Sequence, residues 1–444
     1  MKTLICIPCL LTGGTEIQTL NTVRALVLGG HEVTMACYFE HTPYMVQQFE
    51  EAGAKVILFS PDGNRLGGWR IVPFLYRNLR SVIKAVRPDI VHVQYMAPGA
   101  MVILLLWLMR VKNIIATVHT AADIYKDLRL IHFIQRHCVR AWICITERAE
   151  RSFFGTSQLY SKDMVLGKRN HFTIYNSLPV QLGGSCNENE DEDENYAAEP
   201  RLIATSSQVK GDGGEVKQSH LKGNLSSSSL SSSSRLGVNQ SQSHLKGNLS
   251  SSSLSSSSQK KPSAPFVLGV VSRLEHIKGM DLVIPAFAEV RKRFPDVRLL
   301  VVGDGSLRGS MEQQAQKLGC ADAVTWAGRQ PQESLPQYYG EMDIVLMPSR
   351  SEGFGLTAIE AMACGCVVVA SDVGGLPEVV RDGVCGLLHR TEDVHDMAAK
   401  ICSLIASPEL YRSLQKNALQ HVQKFSFQRY ASAVCDLYER LIAT

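Results

Sequence analysis

No apolar run in this chain is long enough to cross a bilayer: residues 100–109 are apolar but stop at Arg110, against the roughly 20 residues that a spanning helix needs. No charged leader with an apolar core precedes the first strand-like run at 3–8, and a cytoplasmic protein is the expectation. Dense Lys/Arg tracts interleaved with aromatics are missing as well, and the formal net charge is only +4, so nucleic acid is not an expected partner. The 12 cysteines are scattered; Cys6-x2-Cys9 and Cys364-x-Cys366 have no second pair at finger spacing, which leaves reduced, buried thiols and no metal site as the reading.

What is present begins with length. A chain of 444 residues exceeds one compact core, and two α/β lobes of ~170 residues each leave a surplus. That surplus lies at 183–262, where an acidic run at 188–194 is followed by a direct repeat: residues 218–234 recur as 242–258. The stretch is poor in aromatic and β-branched residues and reads as a disordered Ser-rich linker, because it has too little apolar area to offset its ordering entropy. Lobe one then covers 1–182, lobe two 263–425, and a last helix 426–444. In lobe one, strands are predicted at 3–8, 32–38, 54–60, 89–95, 113–120, 141–146 and 171–176; several are apolar through most of their length, as a parallel sheet covered on both faces requires.

The densest chemistry is the segment EGFGLTAIE, residues 352–360. An apolar run at 343–348 has strand character, 349–355 is turn chemistry, and 356–363 is a helical run that stops at Cys364 and Gly365. A helix starting just after Gly353 and Gly355 offers unpaired N–H groups and the positive end of its dipole, a ready seat for a diphosphate around Gly355, Leu356 and Thr357. Glu352 and Glu360 stand up to ~12 Å apart along such a helix, a span that suits two sets of hydroxyls either side of a diphosphate. By spacing alone they read first as a solvated cap and a surface residue, and it is the context that changes this. Upstream, an apolar strand at 266–272 ends in Arg273-x4-Lys278, a planar fork and a compact charge of the kind that meets a departing diphosphate. A second strand runs into Gly303-Asp-Gly305, and another ends at Gly328 and Arg329.

In this order, and followed by SDVGGLPE at 371–378, these motifs resemble the C-terminal lobe of the large retaining glycosyltransferase family of GT-B architecture, marked by Glu-x7-Glu (the group 1 or family 4 type). The resemblance covers about 266–389. It implies two Rossmann-like lobes with parallel sheets facing a cleft, and transfer of a hexose-type sugar, with retention, from a UDP- or GDP-linked donor to a hydroxyl on a glycan or lipid-linked acceptor. No cofactor or metal is implied, since the only Asp-x-Asp, Asp191 and Asp193, lies in the acidic linker run. Glu352, Arg273, Lys278 and His119 become the expected catalytic residues. Donor contacts are expected from Gly13, Gly14, Arg273, Lys278, Gly303, Gly305, Arg329, Glu352, Gly353, Phe354, Gly355, Leu356, Thr357 and Glu360, with Glu352 on the sugar and Glu360 on the ribose. The last helix is expected to cross back to lobe one.

Lobe one supplies a matching anion cradle, with a strand at 3–8, a glycine loop at Gly13 and Gly14, and a helix at 16–28. His119, at a strand end, has two readings, a hydrogen-bonded structural residue or, as in similar enzymes, a group facing the sugar or acceptor. Thr120 and Ser177 stand where the family commonly has an acidic residue or glycine and a glycine, respectively. These departures keep open a catalytically silent subunit that only holds a sugar nucleotide; an epimerase or phosphorylase of the same architecture is a third reading. Between 69 and 87, Arg70, Arg77, Arg80, Lys84 and Arg87 share one helical arc opposite Leu75, Leu79, Val82 and Val86. That is a helix with a solvated basic face, or one that docks peripherally on the inner membrane face.

Overall fold

A computed structural model describes residues 1–94, 96–122, 125, 127–165, 167, 169–179 and 265–443. The proposed linker at 183–262, with its acidic run and repeat, and the lobe boundaries at 182 and 263 lie outside the described residues. Among the described residues the strands form two parallel sheets. The first comprises β1 (Lys2–Ile7), β2 (Glu32–Cys37), β3 (Lys55–Leu58), β4 (Ile90–Gln94), β5 (Ile114–Val118), β6 (Ala141–Cys144) and β7 (His171–Thr173), in the order β3-β2-β1-β4-β5-β6-β7. The second comprises β8 (Val267–Val271), β9 (Arg298–Val302), β10 (Val324–Gly328), β11 (Ile344–Met347), β12 (Val367–Ser371) and β13 (Leu387–His389), in the order β10-β9-β8-β11-β12-β13. Each predicted lobe-one strand is present; β1 begins and ends one residue earlier than predicted, and the others are shorter by one to three residues.

Both sheets are covered on both faces, which is why their strands are continuously apolar. Helices α1 (Gly14–Leu28) and α2 (Pro43–Glu51) pack on one face of the first sheet; α3 (Ile71–Val86), α4 (Met96–Leu108), α5 (Arg129–His137) and α6 (Glu147–Phe154) contribute to the other. The second sheet is flanked by α7 (Val283–Arg293), α8 (Arg308–Lys317), α9 (Leu335–Glu341), α10 (Leu356–Ala363), α11 (Leu376–Val379), α12 (Val394–Ala406) and α13 (Pro408–His421). Among the described residues no helix is long and apolar enough to cross a membrane.

Strand order reverses between β1 and β4 in the first sheet and between β8 and β11 in the second. At such a switch point the connections leave in opposite directions and open a crevice beyond the strand C-termini. Gly13 and Gly14 follow β1, Arg273 and Lys278 follow β8, and Glu352 to Gly355 follow β11. The motifs thus sit where parallel topology leaves room for a ligand.

The last helix, α14 (Phe427–Ala443), does cross back: Val434, Leu437, Tyr438 and Leu441 are buried in the lobe-one core with Leu20, Val23 and Met35. Its Tyr438 hydroxyl is hydrogen-bonded to His92 Nδ1 at 2.6 Å, and the ring meets both His92 and His31 edge-on. Tyr438→Ala should empty this fully buried site and cost about 3–5 kcal/mol, seen as a lowered melting temperature; an unchanged melt would mean that α14 is not part of the lobe-one core.

Candidate functional site

The helix start predicted after Gly355 is in place. Gly355 adopts φ 105° as N-cap of α10, with no side chain bonded to the first-turn N–H groups, so these groups and the positive end of the helix dipole face the cleft. Across it, α1 begins at Gly14 with Gly13 as a cap that is likewise without a side-chain bond. A Cβ on Gly14 would stand 3.4 Å from Leu356 Cδ1. The two glycine loops therefore face each other, and both present helix N-termini.

The two lobes also come close at Gly353, where a Cβ would lie 2.1 Å from the His119 carbonyl oxygen. Only glycine lets the two backbones meet there. Beside it, Lys278 Nζ bonds Glu352 Oε2 at 2.7 Å, with side chains 22% and 16% exposed. The two residues expected to act on diphosphate and sugar separately form one half-buried ion pair. Arg273 and Arg329 are exposed on the loops after β8 and β10.

Glu360 is 5% exposed and accepts hydrogen bonds from the Tyr339 hydroxyl at 2.9 Å and Gln332 Nε2 at 3.0 Å. Desolvation pushes its carboxyl up to about 7, partly opposed by those two donors. Phe354, expected at the donor, is 2% exposed and packs edge-on against Phe425 at 5.5 Å and near Tyr175 at 6.2 Å. It joins the lobes instead of lining the cleft, since a large apolar ring gains more by burial between them. Gly303 and Gly305 are packing glycines: Gly303 has φ 133°, and Cβ atoms would stand 1.8 Å from Ser272 O and 2.5 Å from Leu274 O. They let the β9 turn press against the loop that carries Arg273. Thr357 sends its hydroxyl toward Val271 O at 3.4 Å.

His119 is 8% exposed, with Nε2 donating to Gln94 Oε1 at 2.8 Å. Gln94 Nε2 lies 3.3 Å from His92 Nε2, and His92 reaches Tyr438. Burial pushes both imidazoles down to about 3, so His119 is a neutral hydrogen-bonding group at physiological pH, and its backbone carbonyl meets Gly353 of lobe two. Ser177, one of the departures from the family pattern, is fully buried with Oγ accepting from Asn21 Nδ2 at 3.0 Å and its N–H donating to Gln18 Oε1 at 3.0 Å. Sequence reasoning missed Tyr339, Gln332 and Gln94, whose spacing from the residues they orient carries no local signal.

Because the folded Glu360 carboxyl titrates above an ordinary one, the stability tied to its protonated form is full below about 4.5 and lost as pH rises to about 7. Glu360→Gln, which cannot ionise, should therefore gain relative to the parent across that window, by about 3 kcal/mol at most. Paired thermal melts from pH 4 to 8 check this; a constant difference between the two would rule out the buried, raised carboxyl.

Two family models match the chain: "Glycosyltransferase Family 4" over residues 12–155 and "Glycosyl transferases group 1" over 253–421, together well over half of it. Relatives include the D-inositol 3-phosphate glycosyltransferases of Segniliparus rotundus, 42% identical over 176 residues (39% of each chain), and of Saccharomonospora viridis, 36% identical over 191 residues (41% of this chain, 44% of the relative). The chain thus spans about two fifths of the length of the curated relatives it matches. Solved structures with the same fold include Anabaena HepE in complex with UDP-glucose, at TM-score 0.66 and 18% identity, covering 99% of this chain and all of that one. Another is a glycosyltransferase from Rickettsia africae, at TM-score 0.68 and 15% identity, covering 99% and 98%.

Proposed function

The chain belongs to the GT-B glycosyltransferases of the family 4 and group 1 type, and from that premise we propose that it moves a hexose-type sugar from a nucleoside diphosphate to a hydroxyl acceptor, with retention of configuration. The observation that carries this reading is the Lys278–Glu352 pair at 2.7 Å, set beside the uncapped start of α10 and opposite the Gly13–Gly14 loop. A diphosphate seated on the two helix N-termini has its leaving charge met by backbone N–H groups, Lys278 and Arg273. Its arrival draws Lys278 toward phosphate and leaves the Glu352 carboxylate to orient the sugar as positive charge develops. Glu360, freed of its proton, accepts from ribose hydroxyls in place of its present partners.

Anabaena HepE holds UDP-glucose, which makes UDP-sugars the first donors to test and GDP-sugars the second. Retention and the absence of a metal requirement rest on the family resemblance and on the cations already at the site. The binding-only alternative is favoured by Thr120 and Ser177, and it predicts donor binding without turnover.

Donor hydrolysis and transfer assays decide between these. Glu352→Gln should lower kcat with little change in KM, and Glu360→Gln should raise KM more than it lowers kcat, each by about ten- to a hundredfold in kcat/KM. Turnover should persist in chelator. Parental kinetics in both variants sink this reading, while arrest by chelator, restored with magnesium or manganese, removes its metal-free part.

The acceptor we assign to a glycan or a lipid-linked molecule, the latter supported by one surface of lobe one and placing the protein peripherally at the inner membrane face. Leu75, Leu79 and Val82 of α3 are buried as expected, and the opposite side presents Arg70, Arg77, Arg80, Lys84 and Arg87, all exposed, with Trp69 79% exposed and Tyr76 40%. Basic side chains beside exposed aromatics suit an anionic bilayer surface. Sedimentation with phosphatidylglycerol vesicles should pull the chain down, phosphatidylcholine vesicles should not, and joint Arg77→Glu, Arg80→Glu and Lys84→Glu substitution should abolish binding. Equal recovery of parent and variant would make this an ordinary solvated helix face.

A further inference from the structure

Glu378 closes the VGGLPE segment, and nothing in the donor site uses it. Its carboxylate reaches across to lobe one, where Oε2 accepts from the backbone N–H of Glu147 at 2.8 Å and Oε1 accepts from that of Arg148. These are the first two residues of α6. The next two N–H groups of that helix are met locally, Ala149 by Thr146 Oγ1 and Glu150 by Thr146 O, each at 3.1 Å. One lobe thus completes the N-terminal cap of a helix in the other. A carboxylate at the positive end of a helix dipole, bonded to two N–H groups at once, is among the stronger polar contacts available. Asp372 adds a looser contact at 3.7 Å to Arg148.

The same segment also lies against the site. Gly375 N donates to Glu352 O at 3.0 Å, and Glu378 N donates to Gly375 O at 3.2 Å. A Cβ on Gly375 would stand 2.4 Å from Gly353 O and 2.8 Å from Thr146 Cγ2. The strip from Gly374 to Glu378 is held between the backbone of Glu352 and Gly353 on one side and the start of α6 on the other. When the lobes part, Glu378 and two helix N–H groups lose their partners together.

We propose that Glu378 is a positioning residue for the transfer reaction: by capping α6 from the opposite lobe it fixes the approach in which Glu352 and Lys278 face the Gly13–Gly14 loop. This rests on the glycosyl-transfer reading above. Because the residues expected at the nucleotide lie mostly on lobe two, loss of the cap acts on assembly of the reacting geometry and less on donor binding.

The test uses the full chain and two variants, Glu378→Ala and Glu378→Gln, the second keeping one acceptor oxygen. Expected are a fall in kcat of about tenfold or more for alanine, a donor KM within about twofold of the parent, and partial rescue by glutamine. Hydrogen exchange at the Glu147 and Arg148 amides should quicken in Glu378→Ala. That readout reports the cross-lobe cap whether or not a donor is turned over. If the parent turns over no donor, the transfer reading fails while exchange still tells whether the cap exists. A parental kcat in both variants overturns the proposal, as do unchanged exchange at 147–148 or a loss of activity that only follows a loss of melting temperature.

Discussion

The ion pair between Lys278 and Glu352 is the contact on which the rest of the cleft depends. Its two side chains come from connections on either side of the β8/β11 switch point, and each is largely withdrawn from water. A half-buried charge tolerates this only with its counterion in place, since removing one partner strands the other. The pair is therefore a stable resting arrangement that a polyanion can open without leaving a charge unmet, because the diphosphate takes over the ammonium. Parallel topology puts both loops there, and the glycines remove the side chains that would fill the space.

Lobe two holds its second carboxylate in a different state. Glu360 shares its helix with nothing charged nearby; Tyr339 and Gln332 satisfy its oxygens while burial keeps it close to half-protonated near neutrality. Two glutamates on one short motif thus have unlike environments, one paired with a cation and one desolvated, the kind of separation by which a site divides labour between chemically identical groups. On the lobe-one side the polar chain from Tyr438 through His92 and Gln94 to His119 ties the crossing helix to the wall of the cleft. Both of its imidazoles stay neutral there, which makes it a scaffold of hydrogen bonds and not a charge relay.

Much of this was legible beforehand. Alternation of apolar runs with glycine turns located the strands of lobe one and the first four of lobe two, because a strand buried on two faces must be apolar throughout. The start of α10 at Leu356 and its end at Ala363 followed from the glycines on either side. The basic arc of α3 and its buried side also matched, since helical period alone decides which residues share a face.

What the sequence by itself determined was the kind of each element and the order of the chemistry along the chain, since local propensity and periodicity act over a few residues. Only the tertiary structure decided which groups meet. It paired Lys278 with Glu352, 74 positions apart, sank Phe354 between the lobes, and closed Glu360 behind Tyr339. It also gave the first N–H groups of α6 to Glu378, 231 and 230 positions away. These are matters of desolvation and of partners brought together by folding, and neither is written in the spacing of a motif.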